Sequence, residues 1–205
     1  MPGNKPNAKK TTPRAELPTL GFANPAAWRA WLAAHHAAAP GLWMQIGKKG
    51  AGAPSITYDE ALEVALCYGW IDGQKKGLDE TAWLQKFTPR GPRSLWSQIN
   101  RDKAEALIAS GQMQPAGLAA VEAAKADGRW EAAYAGARKM GVPPDLQTEL
   151  DRDPVAQAAF AQLDSTNRYA ILFRLATAKK AETRARRLQQ FVQLLRRGEK
   201  LHPGK

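Results

Sequence analysis

The chain has 205 residues, a formal net charge of +11, 44% hydrophobic and 24% charged residues, a balance that fits one packed globular domain or two small ones. No apolar run approaches the ~20 residues of a membrane span, and no apolar stretch of a secretory signal follows the basic amino terminus. Membrane insertion is therefore not expected, and the expected location is cytoplasmic. The charge is uneven: residues 1–20 carry four basic groups and one acid, residues 164–205 carry eleven and three, and the region between holds fifteen of each. The basic character belongs to the two ends and is not a field over the whole protein.

Residues 1–19, rich in Pro, Lys, Asn and Thr, have almost nothing to bury, and a disordered basic tail is expected over 1–20. Asn24-Pro25 supplies an N-cap and a proline at the first helical position. Trp28, Trp31, Leu32 and His35 recur on one face, which predicts a helix over 25–38 that Pro40-Gly41 ends. Leu42 to Ile46 alternates as a short strand. Gly47-Lys48-Lys49-Gly50 lacks the order of a phosphate-binding loop and reads as an exposed connector. Thr57-Tyr58-Asp59-Glu60 is a capping box, opening a helix that closes at Gly69. Cys67 lies inside that helix and reads as a small buried hydrophobe. As the one cysteine it has no disulfide partner in the chain, which fits a reducing compartment.

Trp70 to Gln74 leaves that helix extended, Lys75-Lys76-Gly77 turns, and Trp83 to Phe87 forms a second strand with Trp83, Gln85 and Phe87 on one side. With residues 42–46 this predicts three antiparallel strands, too short to stand without a helix across them. Ser94 is the expected cap of a helix over 95–110 that ends at Gly111. Helical patterns follow at 115–127, at Trp130 to Tyr134, after Asp153-Pro154, after Ser165, and over about 181–197. Val142-Pro143-Pro144 reads as a break. The predicted class is α+β, mostly α-helical: a small antiparallel sheet of about three short strands packed by helices, then a C-terminal helical bundle. The expected domains are 21–140 and 141–198, with 199–205 a tail in which His202 frays.

The residues that could carry chemistry concentrate between 67 and 100. Asp72 follows a helix C-terminus, whose dipole repels a carboxylate. Either it is an Asp-Gly turn residue or it is held by Arg90, Arg93 or a backbone turn and serves as an acid or base. Pro89 and Pro92 stiffen the loop that offers Arg90 and Arg93. Those guanidiniums, with Ser94 and the amides of the next helix, form either an anion site or a set of structural ion pairs. Trp70, Trp83 and Trp96 could stack a flat ligand, although at least two of the three belong to packing. Asn100 completes the candidate ligand-binding set on that segment. Arg184 begins the apolar stripe of Leu188, Phe191, Val192 and Leu195, and an arginine so placed is aimed at a specific partner. The other C-terminal arginines do not share a face, which argues for a solvated surface over a groove-binding helix. There is no Ser/His/Asp arrangement, no carboxylate pair at helical spacing and no metal-ligand cluster, so no cofactor or metal is expected and the sequence names no reaction.

The run Ala65-Leu66-Cys67-Tyr68-Gly69-Trp70-Ile71-Asp72-Gly73, with Phe87-Thr88-Pro89-Arg90 and Ser94-Leu95-Trp96-Ser97-Gln98-Ile99-Asn100, resembles the YdeI/OmpD-associated family. Gly111-Gln112-Met113, Gly128-Arg129-Trp130 and Thr183-Arg184-Ala185-Arg186-Arg187 are similar to its C-terminal portion. The resemblance spans about 22–197, with Ala181 where the pattern has proline. It implies a bacteriocin-protection or porin-associated protein linked to envelope stress and antimicrobial peptides, and carries over no catalytic residue. The expected function is a stress-protection protein that binds an anionic ligand or an envelope-stress protein partner through Trp70, Asp72, Arg90 and Arg93. The alternatives are an enzyme using Asp72 as acid or base, and, less favoured, nucleic-acid binding through the basic C-terminal helices.

Overall fold

The computed structural model describes residues 16–50, 52, 54–136 and 139–202. The chain forms two compact units, Met1–Gly91 with Gln112–Ala119 and Pro92–Gly111 with Ala120–Lys205. The segment 92–111 thus goes with the later helices, where a single α+β domain over 21–140 was expected.

The first unit holds the sheet, whose strands are β1 (Thr19–Gly21), β2 (Leu42–Gly47), β3 (Trp70–Gly77) and β4 (Ala82–Pro89) in the order β1-β2-β4-β3. The β2–β4 and β4–β3 pairs are antiparallel. The expected three strands gain a fourth, β1, which runs parallel to β2. It corrects the reading of 1–20 as wholly disordered: residues 16–20 are ordered, and the Pro18 carbonyl accepts from the Trp43 amide at 2.9 Å. Residues 1–15 of that predicted tail lie outside the described residues.

Helices α1 (Pro25–His35) and α2 (Tyr58–Cys67) pack on one face of the sheet. The Asn24 side chain caps α1 by accepting from the Ala27 amide at 2.9 Å. At α2 both halves of the capping box form: Thr57 Oγ1 accepts from the Glu60 amide, and Glu60 Oε2 accepts from the Thr57 amide. Gly69 follows at φ +71°, a backbone state open to glycine at little cost. Alternation along β2 and β4 puts Leu42, Met44, Ile46 and Phe87 on the inner face. There Trp28 of α1 reaches both Phe87 and Trp70.

A bulge between Asp72 and Lys75 sets what the sheet presents. Asp72 pairs with Phe87 while Lys75 pairs with Gln85, so three steps on β3 match two on β4. Side chains alternate along a strand, so the extra residue reverses parity. Asp72 and Lys75 both face inward and Lys76 faces outward. The loosened backbone is held by Gln85, buried on β4, whose Nε2 donates to the Gly73 and Gln74 carbonyls at 3.0 and 3.3 Å.

The second unit is helical over α3 (Gln98–Ala109), α5 (Pro144–Asp151), α6 (Pro154–Ala161), α7 (Ser165–Ala176) and α8 (Ala181–Arg196); α4 (Pro115–Ala126) begins in the first unit and ends in this one. Leu146, Phe160, Ile171, Leu175, Phe191 and Leu195 form its core. Three expectations are corrected here. Ser94 is not the cap of α3; Ser97 is, accepting from the Asn100 amide at 3.1 Å. The reason is that Trp96 and Gln98 are tied to Tyr134, whose amide donates to the Trp96 carbonyl and whose carbonyl accepts from the Gln98 amide. That pairing draws 94–97 out straight and also makes Tyr134 an isolated bridge partner of Ser97 in place of a helical residue. The Pro143-Pro144 break hides α5, because Pro144 sits at a first helical position where proline is favoured. The tail does not fray at His202. Its amide donates to Asn167 Oδ1 at 2.8 Å and its carbonyl accepts from Asn167 Nδ2 at 3.0 Å.

Candidate functional site

Within the first unit the expected residues separate into packing and surface. Trp70 is 1% exposed, lies edge-on to Trp28 and Trp31, and donates its indole N–H to the His36 carbonyl at 3.1 Å. It is a packing residue. Asp72 is half-buried on β3, and its Oδ2 accepts from the Tyr58 hydroxyl at 2.9 Å. That hydroxyl comes from the first residue of α2, fourteen positions earlier, and not from the arginine loop. Arg90 follows β4 with its amide donating to the Gly69 carbonyl at 2.9 Å, and its guanidinium is partly buried. Cys67 is fully buried, and burial pushes its thiol above the ordinary range against the opposing pull of Arg29, the state of an inert side chain.

Trp83 is the half-exposed member of the three central tryptophans. It lies on the inner side of β4, with Tyr58 at 6.1 Å between ring centroids and the Lys75 ammonium 4.0 Å from its own centroid. A cleft of about 740 Å³ opens beside these rings, lined by Ile46, Lys48, Lys49, Thr57, Tyr58 and Trp83 among others. Its charged lining residues are both lysines. Lys48 is oriented by a 2.8 Å bond from Nζ to the Asp79 carbonyl. The Asp79 carboxylate is meanwhile turned onto Thr81 and Ala82, and those bonds hold it below the ordinary carboxylate range. The arrangement is two adjoining aromatic rings and two lysines lining one cleft.

Arg93, Ser94, Trp96, Asn100 and Arg184 belong to the second unit. Arg93 is exposed. The Ser94 carbonyl accepts from Arg129 Nη1 at 3.0 Å, while Arg129 Nε is held by Asp127 at 2.7 Å. That bond keeps the Asp127 carboxyl below its usual range. Trp96 is 2% exposed and edge-on to Trp130 at 4.8 Å, and Asn100 is buried behind the Ser97 cap. The helix expected to begin after Ser94 starts instead at Gln98, and the Asn100 amide is taken by Ser97.

Arg184 does meet a specific partner, inside its own unit. Its Nε and Nη2 form a fork on Asp145 at 2.7 and 2.8 Å, and Nη1 donates to the Leu175 carbonyl at 2.7 Å. Arg196 likewise donates to Asp153, the N-cap of α6. Sequence spacing could not reveal these partners, 39 and 43 residues away. Both carboxyls are held below the ordinary range, chiefly by those arginine bonds. A group with a depressed folded value stabilises the fold above its unfolded pKa of about 4, and that stability drains as pH falls through the folded value. The thermal midpoint is therefore expected to be level near neutrality and to fall below about pH 4. Arg184→Met should lower the midpoint at neutral pH and flatten the acid fall. An unchanged acid profile in that variant would show that the fork adds no pH-dependent stability.

Among the described residues no group of three or more His, Cys, Asp or Glu is gathered as a metal would need, and no helix is long and apolar enough to cross a membrane. The class is thus an α+β chain of two units, one a small mixed sheet with helices on its inner face and one all helical. Residues 139–198 match the family model described as bacteriocin-protection, YdeI or OmpD-associated, so that segment is similar to this family. Residues 20–120 match a second model, a domain of unknown function (DUF8412). The motifs between 65 and 100 lie in that second match, so the family found in the sequence is carried by the C-terminal segment. No curated protein and no solved structure matches the chain.

Proposed function

We propose that this chain is a non-enzymatic protective protein of the kind named by the family model that matches residues 139–198, and that it works by holding a flat anion in the cleft beside Tyr58 and Trp83. The observation that carries the reading is the joining of the Tyr58 and Trp83 rings to Lys48 and Lys49 in the lining of one cleft, with Lys75, outside that lining, seated over Trp83. Asp72 fixes the Tyr58 ring through its hydroxyl, which gives that carboxylate a positioning role. Of the residues expected to bind, Trp70, Asp72 and Arg90 lie on the unit that holds the cleft, Trp70 as a packing residue.

Calorimetric titration with adenosine monophosphate, benzoate and inorganic phosphate tests this. The two ring-bearing anions are expected to bind more tightly than phosphate. Trp83→Ala and Lys48→Gln should each weaken them about fivefold, equivalent to ~1 kcal/mol for a cation or ring contact at a partly exposed site. Asp72→Asn should weaken binding less than either. The reading fails if none of the three anions binds at millimolar concentration, or if Trp83→Ala changes nothing. Turnover of a bound compound that Asp72→Asn abolishes would replace it with the enzymatic alternative.

A further inference from the structure

The inner face of the sheet is covered by α1 and α2, while the outer face has a composition of its own. Register puts Trp43, Gln45, Leu84, Lys86 and Thr88 on that face, and the bulge turns Lys76 onto it across from Leu84. No strand residue on this face is acidic. Trp43 is half-exposed at its centre, with the Lys76 ammonium 4.2 Å and the Lys86 ammonium 5.9 Å from the ring centroid. The face thus presents an aromatic ring with two ammoniums beside it.

We propose that this outer face binds single-stranded nucleic acid, with a base stacked on Trp43 and the neighbouring phosphates held by Lys76 and Lys86. Charge complementarity selects the occupant: a strand of nucleotides sets phosphates beside a base, as this face sets the Lys76 and Lys86 ammoniums beside the Trp43 ring. The exchange is favourable in magnitude. An exposed ammonium–ring contact is worth about 0.5–1 kcal/mol, and stacking of a base on an aromatic side chain about 1–3 kcal/mol. A base can therefore displace Lys76 from the ring, and the released ammonium gains a phosphate within its own reach. Duplex is disfavoured because its bases are not free to lie on the ring. The reading is separate from the cleft, since it uses the other face of the sheet and none of the cleft's residues.

Fluorescence anisotropy of a labelled oligothymidylate of twelve nucleotides, on the full chain and over a salt series, tests the proposal. Binding should weaken steeply with salt. Trp43→Ala should weaken it about tenfold and Trp43→Phe much less. Lys76→Gln with Lys86→Gln should weaken it and reduce the logarithmic salt slope by about 1.4, the loss of two phosphate contacts on a single strand. That lysine pair is exposed or half-exposed and keeps the test open if Trp43→Ala does not fold. Three results would each overturn the proposal: no binding at low salt, an affinity untouched by the lysine pair, or inorganic polyphosphate and duplex competing equally. A folded Trp43→Ala that binds like the parent chain would reduce the face to a general polyanion surface and also overturn it.

Discussion

Replacing Trp28 by alanine is expected to remove about 3–5 kcal/mol of stability, a large share of the 5–15 kcal/mol that holds a typical domain folded. The side chain is fully buried and lies at the junction of four elements of the first unit. Its ring sits 4.9 Å from Phe22, 5.4 Å from Trp31, 6.1 Å from Trp70 and 5.8 Å from Phe87, centroid to centroid. Its indole N–H donates to the Ala61 carbonyl at 3.1 Å, joining α1 to α2. Alanine leaves a void against four other aromatic rings that cannot all collapse into it, and strips a buried carbonyl of its donor. Trp28→Phe keeps most of the ring packing and should cost less than half as much. Urea unfolding followed by circular dichroism measures both, and a loss under about 1 kcal/mol for Trp28→Ala would contradict the packing described.

Gly117→Ala is expected to destabilise the chain, although alanine is the better helix former. Glycine inside a helix costs up to ~1 kcal/mol relative to alanine, so at an open helical site the substitution would stabilise. Gly117 is inside α4, and a Cβ there would lie 2.3 Å from the Cys67 carbonyl oxygen, 2.8 Å from its carbon and 2.4 Å from Met113 Sδ. Met113 can swing aside. The Cys67 carbonyl cannot: it is main chain at the end of α2 and accepts from the Gln114 amide at 3.1 Å. Overpacking against fixed backbone costs about 1–3 kcal/mol, which exceeds the helical gain. The net expectation is a loss of about 1–2 kcal/mol that Met113→Ala does not restore. A raised thermal midpoint in Gly117→Ala would mean that α2 and the start of α4 are spaced more widely than described.

Much of the helical structure was legible because its determinants are local. The Asn24-Pro25 start, the Thr57–Glu60 capping box and the Gly69 stop each act within four residues, and all three form. The stripe of Leu188, Phe191, Val192 and Leu195 is likewise the buried face of α8. What sequence could not reveal depended on distant partners. Ser94 and Ser97 are equal as caps until Tyr134 straightens the chain between them. Strand β1 has only three residues and gains its ladder entirely from β2. The inward turn of Asp72 and Lys75 depends on a bulge that buried Gln85 supports from the neighbouring strand.

The candidate site shows the same division. The aromatic and lysine content near 67–100 was visible, but which ring is exposed was not. Trp70 and Trp96 are spent on packing, leaving Trp83 and, from β2, Trp43. Tyr58 was read only as part of a cap, yet its hydroxyl donates to Asp72. Lys48 lay in a loop read as a mere connector, and it gains a role because the Asp79 carbonyl orients it toward the cleft's rim. Arg184 was read as aimed at a specific partner and the other C-terminal arginines as a solvated surface, yet Arg196 and Arg197, like Arg184, are engaged by acids of their own unit.

The most direct test of the anion-binding cleft is the indole N–H region of a nitrogen-15 correlation spectrum, recorded as benzoate is added. The seven tryptophans give seven reporters, and Trp83→Phe assigns the signal that matters. A progressive, saturable shift of the Trp83 indole, with the signals of buried Trp28, Trp70 and Trp96 unmoved, is the predicted result. A spectrum in which the Trp83 signal stays fixed while benzoate binds, or in which no indole moves at all, would contradict it.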